Sequence, residues 1–366
     1  MLDLRSLPVP ILLAPMAGGP STPALTAAVN DAGGLGQVAA GYLSAEALEA
    51  AIIDVRARTT APFGVNIFVP GRRADRENPD GGEPGGDESA ELAAYRAVLA
   101  PTAARYDVQL PARLPVTDDD FDAKIEVVAR HRPASVSFTF GLPDVAVIRR
   151  LQLGGSTVLA TVTSMEEARH AAATQVDALC VQGPEAGGHR ATFGVHDRPG
   201  TTGLATLVRD TLAMTRLPVI AAGGIHSGPQ IAELLRLGAS AVQVGTVFLR
   251  CPEAGTKQAH RDALAAPEYE NTMVTRAFSG RPARSLINEF AATFSHLAPE
   301  AYPQVNSLTA PIRAAADRCN DPRALNLWAG TGHRHARREP AAAVVHRLWR
   351  AAVAADPQLA GRGART

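Results

Sequence analysis

Of the ten histidines in this chain, His189 sits where an imidazole could do chemistry. It closes the run Gln182-Gly183-Pro184-Glu185-Ala186-Gly187-Gly188-His189-Arg190, directly after an apolar stretch at 178–182. A strand-end amide, a glycine-rich turn and then a histidine can place a ring nitrogen over a bound planar group. Neutral imidazole is the side chain best suited to proton transfer or anion contact near neutral pH. A solitary histidine is more often structural, and the flanking glycines shift the balance toward function. Two further loops carry a different chemistry. Ala221-Ala222-Gly223-Gly224-Ile225 and Gln243-Val244-Gly245-Thr246 each end an apolar run. Glycines there let backbone N–H groups approach a phosphate, and Thr246 adds a hydroxyl donor. Ala14-Pro15-Met16-Ala17-Gly18-Gly19 also permits close backbone approach, although a tight strand-to-helix turn explains it more simply when it is taken alone. Asn66, inside Gly64-Val65-Asn66-Ile67-Phe68, must find a hydrogen-bond partner, either neighbouring backbone or a ligand. No GxGxxG, Walker A or HExxH pattern is present.

Such residues need elements to hold them. Apolar or β-branched runs at 11–15, 35–38, 63–68, 135–140, 157–162, 178–182, 218–222 and 241–245 predict strands. Between them, 23–32, 44–58, 121–130, 143–151, 164–173, 204–214 and 228–237 read as helices. The runs are nearly continuous in apolar character, as parallel strands buried on both faces are. Strand-then-helix units in series predict an α/β fold, a TIM (β/α)8 barrel, rather than an open doubly wound sheet. In that fold function sits at the C-terminal ends of strands, with phosphate after strands seven and eight, and all five segments above fall at strand ends.

Residues 1–250 with 327–366 are assigned to the barrel, and 251–326 to a smaller, mostly helical cap over its mouth. Within 70–90 lies RRADRENPDGGEPGGDES, with almost nothing to bury, which predicts a mobile surface insertion. A terminal amphipathic helix is expected over 340–355, with Pro340 at its start.

The 366 residues carry 36 Lys+Arg against 36 Asp+Glu, so no general electrostatic pull toward nucleic acid or anionic membrane exists. Lys124 and Lys257 are the only lysines. Cys180, Cys251 and Cys319 are too few and scattered for a disulfide framework or metal site, and Cys180 reads as a core residue. Prolines 8, 10 and 15 break the first apolar stretch, which predicts neither a signal peptide nor a membrane span. A soluble, cytoplasmic chain is expected, and assembly as a homodimer stays open.

At these residues the sequence resembles the nitronate monooxygenase family, formerly the 2-nitropropane dioxygenases. The resemblance runs through APMAGGPSTPAL, GGLGQVAAGYL, FGVNIF, VSFTFGLP, VQGPEAGGHR, PVIAAGGI and AVQVGTVFL, then TRAFSGRPAR, AYPQVNSLTAPIR and LWAGTG. It implies an enzyme that holds FMN in a TIM barrel and oxidises alkyl nitronates, or nitroalkanes, with O2 to carbonyl compounds and nitrite. The implied FMN contacts are Met16, Asn66, Gln182, Gly187, Gly224 and the run Gln243, Val244, Gly245 and Thr246, which join Gly223 of the phosphate loop. The implied catalytic residue is His189. On the substrate side Tyr302 matches, but the family's occasional lysine has no counterpart between 302 and 310, so an anionic substrate tail would need an arginine such as Arg313. The EAGGH segment also resembles FMN- and NAD(P)H-dependent enoyl-thioester reductases. The AYP and LWAG segments favour the nitronate enzymes.

Overall fold

The computed structural model describes residues 2–71, 89–115 and 117–361. Eight strands form one parallel sheet: β1 (Ile11–Leu13), β2 (Gln37–Ala39), β3 (Gly64–Phe68), β4 (Ser135–Thr139), β5 (Thr157–Val162), β6 (Ala178–Gln182), β8 (Val219–Ala222) and β9 (Ala241–Val244). The order β1-β9-β8-β6-β5-β4-β3-β2 brings the last strand beside the first. A parallel bridge between Leu12 and Leu35, with Leu13 N–H donating to Leu35 at 2.9 Å, closes the circle. The expected TIM barrel is the fold, and each of its eight strands overlaps an apolar run identified above.

Side chains alternate along each strand, so one set faces the helices and the other fills the barrel. The outward set (Val65, Ile67, Val136, Phe138, Leu179, Val181, Val242) belongs to the largest apolar cluster. Leu12, Leu159, Cys180 and Ile220 make a separate small cluster inside, which the N-terminal residues Leu4 and Leu7 join. Cys180 is therefore core, and burial pushes its thiol up to about 12. One layer higher the same inward parity presents Asn66, Ser137, Thr139, Thr161, Gln182 and Gln243, and the interior turns polar.

In chain order the helices are α1 (Pro23–Asp31), α2 (Ala45–Arg58), α3 (Ala90–Arg105), α4 (Phe121–His131), α5 (Val145–Leu153) and α6 (Met165–Ala173). They continue with α7 (Leu204–Met214), α8 (Gly228–Arg236), α9 (Gln258–Ala263), α10 (Glu289–Phe294), α11 (Gln304–Arg318) and α12 (Ala341–Ala355). Side-chain caps start several of them: Thr22 and Ser44 accept N–H groups three residues on, and Ser227 with Gln230 forms a capping box on α8. The terminal helix α12 packs on α8 and α1, filling the outer ring where the barrel closes. No helix among the described residues is long and apolar enough to cross a membrane.

The segment 251–326 holds α9, α10 and α11, and also a hairpin that a helical reading does not include. Strands β10 (Thr272–Thr275) and β11 (Ala283–Leu286) pair antiparallel, and β11 then pairs with β7 (Gly188–His189). Helix α3, not foreseen from the sequence, contributes Leu92, Tyr95 and Leu99 to a second apolar cluster with Phe278, Phe290, Val305 and Leu308. Its Tyr95 hydroxyl donates to Ala277 O at 2.6 Å. The expected mobile insertion lies outside the described residues, apart from Ser89, which caps α3.

Candidate active site

A cavity of about 430 Å³ opens at the C-terminal ends of the barrel strands. That volume falls in the range of small-molecule and cofactor sites, roughly 300–1,000 Å³. Its lining includes His189, Met16, Asn66, Gln182, Gly187, Gly223, Gly224, Gln243, Val244, Gly245, Thr246 and Arg313. Tyr302 stands behind the wall, its ring 6.0 Å from that of His189.

The floor is a chain of polar side chains. Gln37 Nε2 donates to Gln243 Oε1 at 2.8 Å, and Ser137 Oγ donates to Gln37 Oε1 at 3.1 Å. Asn66 Nδ2 in turn donates to Ser137 Oγ and Thr139 Oγ1, each at 3.0 Å. Asn66 Oδ1 and Gln243 Nε2 have no protein partner among the described residues, so one acceptor and one donor remain for a ligand.

The glycine loops supply the far side. Gly223 and Gly224 have φ of +116° and +70°, which only glycine adopts freely. A Cβ on Gly224 would lie 2.6 Å from the Glu185 Cβ. Thr246 Oγ1 accepts from Gly330 N at 3.0 Å, which leaves its hydroxyl proton free to donate. Gln182 has a positioning task as well: its Nε2 donates to His189 O at 3.1 Å and its Oε1 accepts from Ala191 N at 3.0 Å. The amide thus holds both sides of the histidine's backbone. Arg190 donates to Gly183 O, and Arg284 grips Pro184 O at 2.8 and 3.0 Å, so the loop between β6 and β7 is fixed by two guanidinium groups.

His189 itself lies in an aromatic box. Phe140, Tyr302 and Trp328 have ring centroids 5.7, 6.0 and 5.4 Å from its own. Its Nε2 meets Ser279 Oγ at 2.8 Å, and Ser279 Oγ lies 3.3 Å from Arg281 O as a donor. With that arrangement Nε2–H donates to Ser279 and the Nδ1 lone pair is left for a ligand. Burial, helped by the charges of Arg281 and Arg313, lowers the imidazole to about 3, so it is neutral at physiological pH. Arg281 is 1% exposed and lies 4.2 Å over the Phe140 ring. Arg313 is fixed by Asn306 O at 2.7 Å and Thr309 Oγ1 at 3.1 Å, with no carboxylate partner among the described residues. This end of the cavity is electropositive.

Sequence reasoning missed Ser279, Arg281, Phe140, Trp328 and Tyr42. The first two lie in TRAFSGRPAR, and the pairing of Ala283 with His189 is what carries that turn to the imidazole.

The chain is 38% identical over 359 residues to a nitronate monooxygenase of Paraburkholderia phytofirmans, covering 96% of this chain and 94% of that protein. It is 39% identical over 351 residues to one of Pseudomonas aeruginosa, covering 94% and 96%. The solved nitroalkane oxidase from Streptomyces ansochromogenes matches with a TM-score of 0.89 at 42% identity, covering 97% and 99%. FabK from Thermotoga maritima matches with a TM-score of 0.72 at 25% identity, covering 99% of each chain. The nitronate monooxygenase family model matches residues 3–350, and the chain is an oxidoreductase belonging to that family.

Proposed function

We propose that the protein oxidises alkyl nitronates with O2 to carbonyl compounds and nitrite, using FMN held across the barrel mouth. The observation that carries this reading is a neutral, half-buried His189 at the cavity wall with the Arg281 and Arg313 guanidinium groups acting on it. Such an end of a cavity attracts a substrate that is already an anion. A histidine so weakly basic is poorly suited to removing a proton from a neutral nitroalkane, which favours a substrate that arrives already deprotonated.

The residues present fit FMN. Backbone N–H groups around Gly223, Gly224 and Gly245, with the Thr246 hydroxyl, would take the single phosphate. Asn66 Oδ1 and Gln243 Nε2 would meet the polar edge of the ring, and Met16, Gln182, Gly187 and Val244 line the same space. When bound, the flavin supplies the electron acceptor for the nitronate and the route for electrons to O2. Phe140, Tyr302 and Trp328 around His189 limit water at the reacting end, and Arg313 orients the anion.

Aerobic turnover of a panel of small nitronates tests this, with nitrite release and oxygen uptake followed together and the heat-released flavin identified. FMN and nitrite are expected; FAD, or no nitrite from any nitronate, would overturn the reading. The EAGGH segment, which resembles FMN- and NAD(P)H-dependent enoyl-thioester reductases, makes such a reductase the competing reading.

A further inference from the structure

Tyr42 follows β2 at the cavity end of the barrel, lines the cavity and is 40% exposed. Its φ of +68° lies in the left-handed region, which bulky side chains occupy only when their surroundings hold them there. The holding group comes from far along the chain. Asp119 Oδ1 accepts the Tyr42 N–H at 2.9 Å. The other Asp119 oxygen lies 2.7 Å from Lys124 Nζ, and the Lys124 side chain is 0% exposed. In a chain with 36 basic residues, one of only two lysines is thus buried against this aspartate. Buried pairs add little net stability, but they fix geometry.

The Tyr42 hydroxyl completes the arrangement. Tyr302 O–H donates to Tyr42 Oη at 3.3 Å, so no protein acceptor among the described residues takes the proton of Tyr42 itself. Although the Tyr42 residue is partly exposed, desolvation at the hydroxyl ends raises both phenols above their ordinary range, and they remain neutral donors at physiological pH. Arg281 and Arg313 are close enough to act electrostatically on Tyr42.

We propose that Tyr42 donates a hydrogen bond to the anionic substrate in this cavity, and that the buried Asp119–Lys124 pair is its positioning device. The proposal rests on the anion-binding reading of the cavity. The bland alternative is that Asp119 merely stabilises the turn into α2, where Asp120 Oδ2 also accepts Ala45 N–H at 3.4 Å.

Calorimetric titration of the flavin-loaded protein with nitrite, a small planar anion, separates the two. Tyr42→Phe keeps the ring against Phe68 and should weaken nitrite binding about tenfold. Lys124→Met with Asp119→Leu replaces the pair by apolar groups, removes the acceptor and should weaken it by the same factor. Adding Tyr42→Phe to that variant should cost nothing more. Asp119→Asn keeps an acceptor and should stay within about threefold of the parent. The proposal fails if the apolar pair lowers only the melting temperature, if the losses multiply, or if the parent binds no nitrite. No turnover is involved, so a protein that binds nitrite as described yet oxidises no nitronate would sink the proposed function and leave the role of Tyr42 standing.

Discussion

A histidine that stays neutral far below pH 7 is a different reagent from one poised to titrate there. The folded protein lowers His189 from about 6.5 to about 3, mainly by burial. Between those values the unfolded chain binds a proton that the folded one does not, so stability rises with pH across that window and is lost as the solution is acidified. His189→Asn should flatten that part of the curve of melting temperature against pH. In the same variant FMN should be retained, and nitronate turnover should fall, because the amide still makes a polar contact but lacks the imidazole. An unchanged pH dependence together with unchanged turnover would make His189 a bystander. This residue was legible because its glycines and its strand-end amide are sequence neighbours. Ser279 and Asp119 were not, since they reach His189 and Tyr42 across 90 and 77 positions and no local pattern records that.

At the scale of elements, the loops after β6, β8 and β9 carry the candidate site. Gly224→Ala would force a Cβ into left-handed backbone and against Glu185. FMN affinity should fall at least about tenfold, with a lower melting temperature. Gly155→Ala is the control: its φ is +93°, but nothing lies within 4 Å of the added Cβ. It should lower the melting temperature and leave FMN affinity alone, and equal affinity losses in both variants would remove the argument for a phosphate cradle. The eight barrel strands were readable because burial on both faces makes them short apolar runs. The hairpin of β10 and β11 was not: Thr-Met-Val-Thr and Ala-Arg-Ser-Leu are too short and mixed to show a period. Helix α3 was hidden for another reason. It follows a long polar stretch and packs against the segment after β9 rather than against the barrel's own repeat.

For the whole molecule, the barrel interior changes from apolar at the Leu12 and Ile220 layer to polar at Asn66 and Gln243, and the segment after β9 covers that polar mouth with aromatic and cationic side chains. On the proposed function, an anionic substrate is itself the reductant, and no nucleotide is needed. Anaerobic mixing in a stopped-flow spectrometer tests this most directly, with a small nitronate in one experiment and NADPH in the other, while flavin absorbance is followed. The nitronate alone should change the absorbance, NADPH should leave it unchanged at useful rates, and admitting O2 with the nitronate should release nitrite. Fast bleaching by NADPH, coupled to reduction of a crotonyl or longer enoyl thioester, would contradict the account and make the protein a reductase.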